Sequence, residues 1–82
     1  ARYLFAGQLV QGKAVLDVGC GVGYGSQRLA QMGAKSVTAF DISADAVAHA
    51  QAFYAHPALT YTVADAEAFD LGRKFDVVTC FE

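Results

Sequence analysis

The chain is poor in the residues that mark several common functions. It has two cysteines, Cys20 and Cys80, in 82 residues, and they share no metal-ligand or redox spacing. Free thiols in a reducing compartment are therefore expected, and no disulfide. Basic residues are few: Arg2, Lys13, Arg28, Lys35, Arg73 and Lys74, with only the last two adjacent. They make no footprint for nucleic acid or an anionic membrane. No apolar run is long enough to span a bilayer, and no signal peptide is visible, so the cytoplasm is the expected location. Repeats, low-complexity tracts and linkers are missing as well. The two histidines, His49 in a predicted helix and His56 beside Pro57, are not placed to activate Cys20 as a nucleophile.

What is present is apolar. Hydrophobic residues make up 55% of the chain and charged residues 17%, with a formal net charge of −2. The mean hydropathy is +0.31. The length allows one small domain, which on folding buries only about 60–65% of the surface its unfolded chain exposes. High hydropathy in so short a chain fits a sheet with helices on both faces, its strands buried on both sides.

The pattern along the chain gives an alternating order. Residues 1–11 read as an amphipathic helix, with Leu4, Phe5 and Leu9 on one face and Gly12 as its stop. A strand is expected over 14–18, a glycine loop over 19–23, and a helix over 25–32 that turns Ser26, Leu29 and Ala30 inward and ends at Gly33. A second strand covers 36–41. Ser43 then caps a helix that carries Asp45 in its first turn and stops before Pro57. Strands follow over 59–64 and 75–81, separated by a loop or short helical turn and a polar turn. Short connections in this order require right-handed crossovers. The expected fold is α/β, a doubly wound and mainly parallel sheet with strand order 3-2-1-4. The fourth strand would then be an edge with two apolar faces. Residues 1–82 are accordingly expected to be half of a larger domain. The alternative is a small protein that covers this edge by dimerising.

Strand, glycine loop and helix in succession describe a phosphate- or nucleotide-type turn. A dinucleotide site wants Gly-x-Gly-x-x-Gly, but the third position falls on Tyr24 counting from Gly19 and on Ser26 counting from Gly21. Asp17 also breaks the apolar strand just before the loop. The pattern Asp-x-Gly-x-Gly-x-Gly at Asp17, Gly19, Gly21 and Gly23 resembles the first motif of the S-adenosylmethionine-dependent methyltransferases with a Rossmann-like sheet. The resemblance covers essentially the whole chain. Val37 to Ser43 looks like the second strand with its ribose-binding acid, Val63 to Phe69 like the adenine-side loop, and Phe75 to Glu82 like the fourth strand.

The resemblance implies S-adenosyl-L-methionine as cofactor, and a site residue by residue. Backbone carbonyls of Gly19 or Cys20 accept from the ligand's ammonium. Asp17 adds negative charge beside it and holds the loop. Asp41 takes the ribose hydroxyls, and Ile42 lies against the adenine. Asp65 and Ala66 meet the adenine edge, Cys80 floors the methyl-donor pocket, and Tyr24 reaches toward the methionine carboxylate. The acids gather at the carboxyl ends of the strands, but no histidine joins them and no pair has ligand spacing, so no metal is expected. No catalytic residue is assigned, because a sulfonium methyl is already activated and positioning carries most of the rate. The methyl acceptor stays open. A nicotinamide-binding domain of a dehydrogenase, a non-catalytic nucleoside-binding relative and a decarboxylated methyl donor are the alternatives.

Overall fold

A computed structural model of the chain describes residues 10–21, 23–64 and 75–79. Its elements are β1 (Ala14–Val18), α1 (Tyr24–Gln31), β2 (Ser36–Asp41), α2 (Ala44–Phe53), β3 (Leu59–Val63) and β4 (Val77–Thr79). The pairings between these strands are parallel, and the strand order is β3-β2-β1-β4, as expected. The helix expected over 1–11 lies largely outside the described residues; Val10 is helical and fully buried.

The helix boundaries follow local chemistry. Ser43 sits in an extended conformation, and its Oγ accepts from the Ala46 N–H at 3.2 Å, which satisfies one of the orphan amides of α2. α1 begins at Gly23 with no side-chain cap and is followed by Gly33 at φ +100. β4 begins two residues later than the stretch 75–81 read from the sequence, and residues 80 and 81 of that stretch lie outside the described residues. Asp76 does not extend the ladder: its N–H donates to the Ala14 carbonyl at 2.8 Å, and its Oδ2 accepts from the Ala14 N–H at 2.9 Å. This two-way clasp aligns the start of β4 with the start of β1.

Register sorts the side chains by face. Val15 stands beside Val37 and Val77, and Val37 beside Leu59. One step along, Asp17 stands beside Ala39 and Thr79, and Ala39 beside Tyr61. Side chains at matched parallel positions point the same way, so these two rows share a face. Leu29 and Ala30 of α1 pack on the first row with Val10 and Ala34. Val47 and Ala50 of α2 pack with Ala39 and Tyr61. Both helices therefore cover one face. Right-handed crossovers put them there, because β1 to β2 and β2 to β3 step in the same direction. The opposite face carries Leu16, Thr38, Phe40 and Val78, with Thr38 and Phe40 buried and Val78 63% exposed.

Candidate functional site

The chain order reverses at β1, which has β2 on one side and β4 on the other. In open parallel sheets a ligand crevice lies outside the carboxyl ends of the strands at such a reversal. Val18, Asp41, Val63 and Thr79 close the four strands and share that edge. The glycine loop leaves β1 there.

The two ends of the loop differ. At Gly19 and Gly21 the backbone is left-handed, with φ +70 and +57, and a Cβ at either would meet nothing within 4 Å among the described residues. This part of the loop is open, and it is tethered to β2. The Cys20 N–H donates to the Phe40 carbonyl, and the Gly21 N–H donates to Asp41 Oδ2, both at 2.9 Å. Gly23, at φ +95, is packed instead: a Cβ there would lie 2.5 Å from Ala50 Cβ and 2.7 Å from Tyr61 Oη. Tyr61 Oη is 2.6 Å from the Tyr54 carbonyl, to which it donates, and 3.2 Å from that of Gly23. Gly23 has a packing reason to be glycine: the loop must approach α2 without a side chain.

Tyr24, which occupies the third-glycine position of a dinucleotide loop, causes no crowding. Its ring is exposed and stands edge-on to Tyr54, with centroids 6.0 Å apart and planes at 87°. Tyr54 ends α2 at the opposite end from Ser43 and the strand edge. The Tyr24 ring is thus placed against the C-terminal end of α2.

The two described carboxylates of the motif have different surroundings. Asp17 is 3% exposed. Ser26 Oγ donates to its Oδ2 at 2.5 Å, and Thr79 Oγ1 donates to its Oδ1 at 2.9 Å. Burial pushes its pKa above the ordinary carboxylate value, against the lowering effect of the two hydroxyls. Both carboxylate oxygens are thus engaged by side-chain hydroxyls, one from α1 and one from β4. Asp41 is half-buried at the rim. Its Oδ2 accepts from Gly21 and its Oδ1 from the Ser43 N–H at 3.0 Å. Each oxygen keeps further acceptor capacity. Beside it, Ile42 is 71% exposed.

Burial first, then the charges of Asp41 and Asp17, push the Cys20 thiol up to about 11. It is a neutral thiol at physiological pH, and its Sγ lies 3.7 Å from the Gly21 carbonyl. The carbonyl of Cys20 accepts from the Gly23 N–H at 3.1 Å. His56 Nδ1 accepts from the Ala58 N–H at 3.1 Å, a turn contact, and His49 stacks at a tilt on Phe53 with centroids 4.7 Å apart. Among the described residues no three His, Cys, Asp or Glu side chains are grouped to hold a metal ion, and no helix is long and apolar enough to cross a membrane. Asp65, Ala66 and Cys80 lie outside the described residues.

Sequence reasoning placed Ser26 inside but did not join it to Asp17, and it missed Thr79. A signal existed for each. Both are hydroxyl residues in otherwise apolar inward-facing positions, and such groups need a buried partner. No buried side-chain polar atom among the described residues lacks one.

Residues 15–82 match the profile of a family described as a methyltransferase domain. A ubiquinone biosynthesis O-methyltransferase from Pseudomonas paraeruginosa is 45% identical over 75 residues, which cover 87% of this chain and 32% of that protein. The mitochondrial ubiquinone biosynthesis O-methyltransferase of Schizosaccharomyces pombe is 41% identical over 76 residues, covering 87% and 27%. The crystal structure of an S-adenosylmethionine-dependent methyltransferase from Mesorhizobium loti matches with a TM-score of 0.81 at 28% identity, over 98% of this chain and 39% of that one. The chain thus spans about a third of the length of the curated relatives it matches.

Proposed function

The chain belongs to the methyltransferase-domain family, and from that premise we propose that it is the S-adenosyl-L-methionine-binding half of a protein that transfers a methyl group to an acceptor. One observation carries the reading. The Asp41 carboxylate, at the crevice rim, is tied to the open glycine loop through the Gly21 N–H and stands next to the exposed Ile42. A carboxylate, an exposed apolar side chain and an uncrowded backbone side by side support a site for vicinal hydroxyls and a base.

When bound, S-adenosyl-L-methionine supplies a methyl group activated on a sulfonium. The chain's own residues bind and orient. Asp41 has its rotamer fixed by two backbone amides, so it accepts from ribose hydroxyls without reordering. Ile42 lies against the adenine. The Gly19 to Gly21 backbone takes the amino-acid end, with the Cys20 carbonyl already engaged by Gly23. Asp17 contributes from beneath the loop, by charge and by holding it, and Tyr24 lines its flank. Asp65 and Ala66 at the adenine edge and Cys80 at the floor complete the proposed site. No protein group is required to activate the methyl, so alignment of the acceptor is the main demand. Relatives at 41–45% identity are named O-methyltransferases, which supports an oxygen acceptor. The two cysteines without a pairing motif support a cytoplasmic location.

Calorimetric titration with S-adenosylhomocysteine and with NAD tests the proposal. Binding of the first and not the second is expected. Binding of NAD alone overturns it.

A further inference from the structure

Three elements meet under the glycine loop through one buried polar cluster. Asp17 on β1 accepts from Ser26 in α1 and from Thr79 on β4. Asp17 and Thr79 are register partners at the crevice end of the sheet, and Ser26 is fully buried in the first turns of the helix that follows the loop. We propose that Ser26 and Thr79 are positioning residues of the donor site: acting through Asp17, they fix the loop and the β4 wall relative to each other. This rests on the donor-binding reading above.

The physical argument starts from cost. Taking a carboxylate out of water is unfavourable, and two neutral hydroxyl donors offset that only in part, as the raised pKa of Asp17 records. Apolar side chains at three such sites would stabilise a small domain as well or better. What the cluster provides and apolar packing does not is a directional link. Hydrogen bonds of 2.5 and 2.9 Å define where α1 and β4 stand relative to β1. The loop is fixed separately to β2 by Cys20 and Gly21. The loop is therefore fixed on the β2 side by contacts that also belong to Asp41, and the two elements it joins, β1 and α1, are tied to each other and to β4 through Asp17. The β4 side is the one facing the amino-acid end of the donor, because the ribose acid lies on β2. Deleting either hydroxyl should thus loosen the grip on the amino-acid half and spare the nucleoside half.

The experiment measures affinities of the full chain for S-adenosylhomocysteine and for methylthioadenosine, which lacks the amino-acid end. Ser26→Ala and Thr79→Val are each expected to weaken S-adenosylhomocysteine about tenfold and methylthioadenosine by less than about twofold. Thr79→Ser, which keeps the hydroxyl, is expected to bind both ligands like the parent. Melting curves accompany each variant. If Ser26→Ala fails to fold, the Thr79→Val and Thr79→Ser pair decides. Equal losses for both ligands, no loss for either, or a Thr79→Ser variant that behaves like Thr79→Val would overturn the proposal. A parent chain that binds neither ligand overturns the donor reading itself, a different result.

Discussion

The rim and the underside of the glycine loop use the same residue types to opposite ends. At the rim, Gly19 and Gly21 border open space and Asp41 is half-exposed, oriented by backbone amides. Underneath, Gly23 abuts Ala50 and Tyr61, and Asp17 is enclosed by side-chain hydroxyls. A glycine that leaves room for a ligand and a glycine that leaves room for a helix are indistinguishable as letters. The same holds for an acid that meets a ligand and one that frames the site. Burial separates them, and with burial the kind of damage a substitution does.

The largest expected effect is on the underside. Gly23→Ala combines a left-handed φ with a Cβ 2.5 Å from Ala50 Cβ. It is expected to destabilise the fold by about 2–5 kcal/mol in chemical denaturation. Gly21→Ala carries the backbone penalty alone, about 1–2 kcal/mol. Equal losses at the two positions would erase the contrast. Next comes Asp41→Ala. Loss of hydrogen bonds to a charged group predicts a fall in S-adenosylhomocysteine affinity of about 10- to 100-fold by calorimetry. The melting temperature should change little, because the amides that lose a partner lie at the solvent-facing rim.

The third effect is a pH dependence. The folded-state pKa of Asp17 is raised by burial, so its protonated form favours the fold. Stability from that source is present below the ordinary value of 3.8 and is lost as pH rises through the raised value. Asp17→Asn is expected to flatten this part of the profile in unfolding curves collected from acid to neutral pH. An unchanged slope would place Asp17 in water after all. The smallest effect is Ile42→Ala. With 71% of the side chain exposed, stability should not move, and donor affinity should fall by on the order of 1 kcal/mol or less.

Much of the framework was legible in the sequence because it is local. Apolar runs, the Ser43 cap and the stops at Gly33 and Pro57 mark elements whose hydrogen bonds close within a few residues. Asp41 was legible at the end of a β-rich run followed by a cap. What escaped depends on register between distant segments. Thr79 reaches Asp17 across 62 positions, and no spacing rule links them. The role of Gly23 depends on Ala50 of the next helix and Tyr61 of the strand beyond it. The Tyr24 ring has an aromatic partner at the far end of α2, a pairing that no spacing rule announces.

The clasp between Asp76 and Ala14 has a consequence for how the molecule assembles. β1, α1 and β2 are neighbours along the chain, and their contacts close short loops that form early and at low entropic cost. β4 joins β1 only by closing a loop of 62 residues, and its described residues pair at three ladder positions. The clasp at one end and the Asp17 to Thr79 bond at the other make that late arrival definite in register. One wall of the crevice is therefore the last piece added, and a ligand that requires both walls selects for chains that have finished folding.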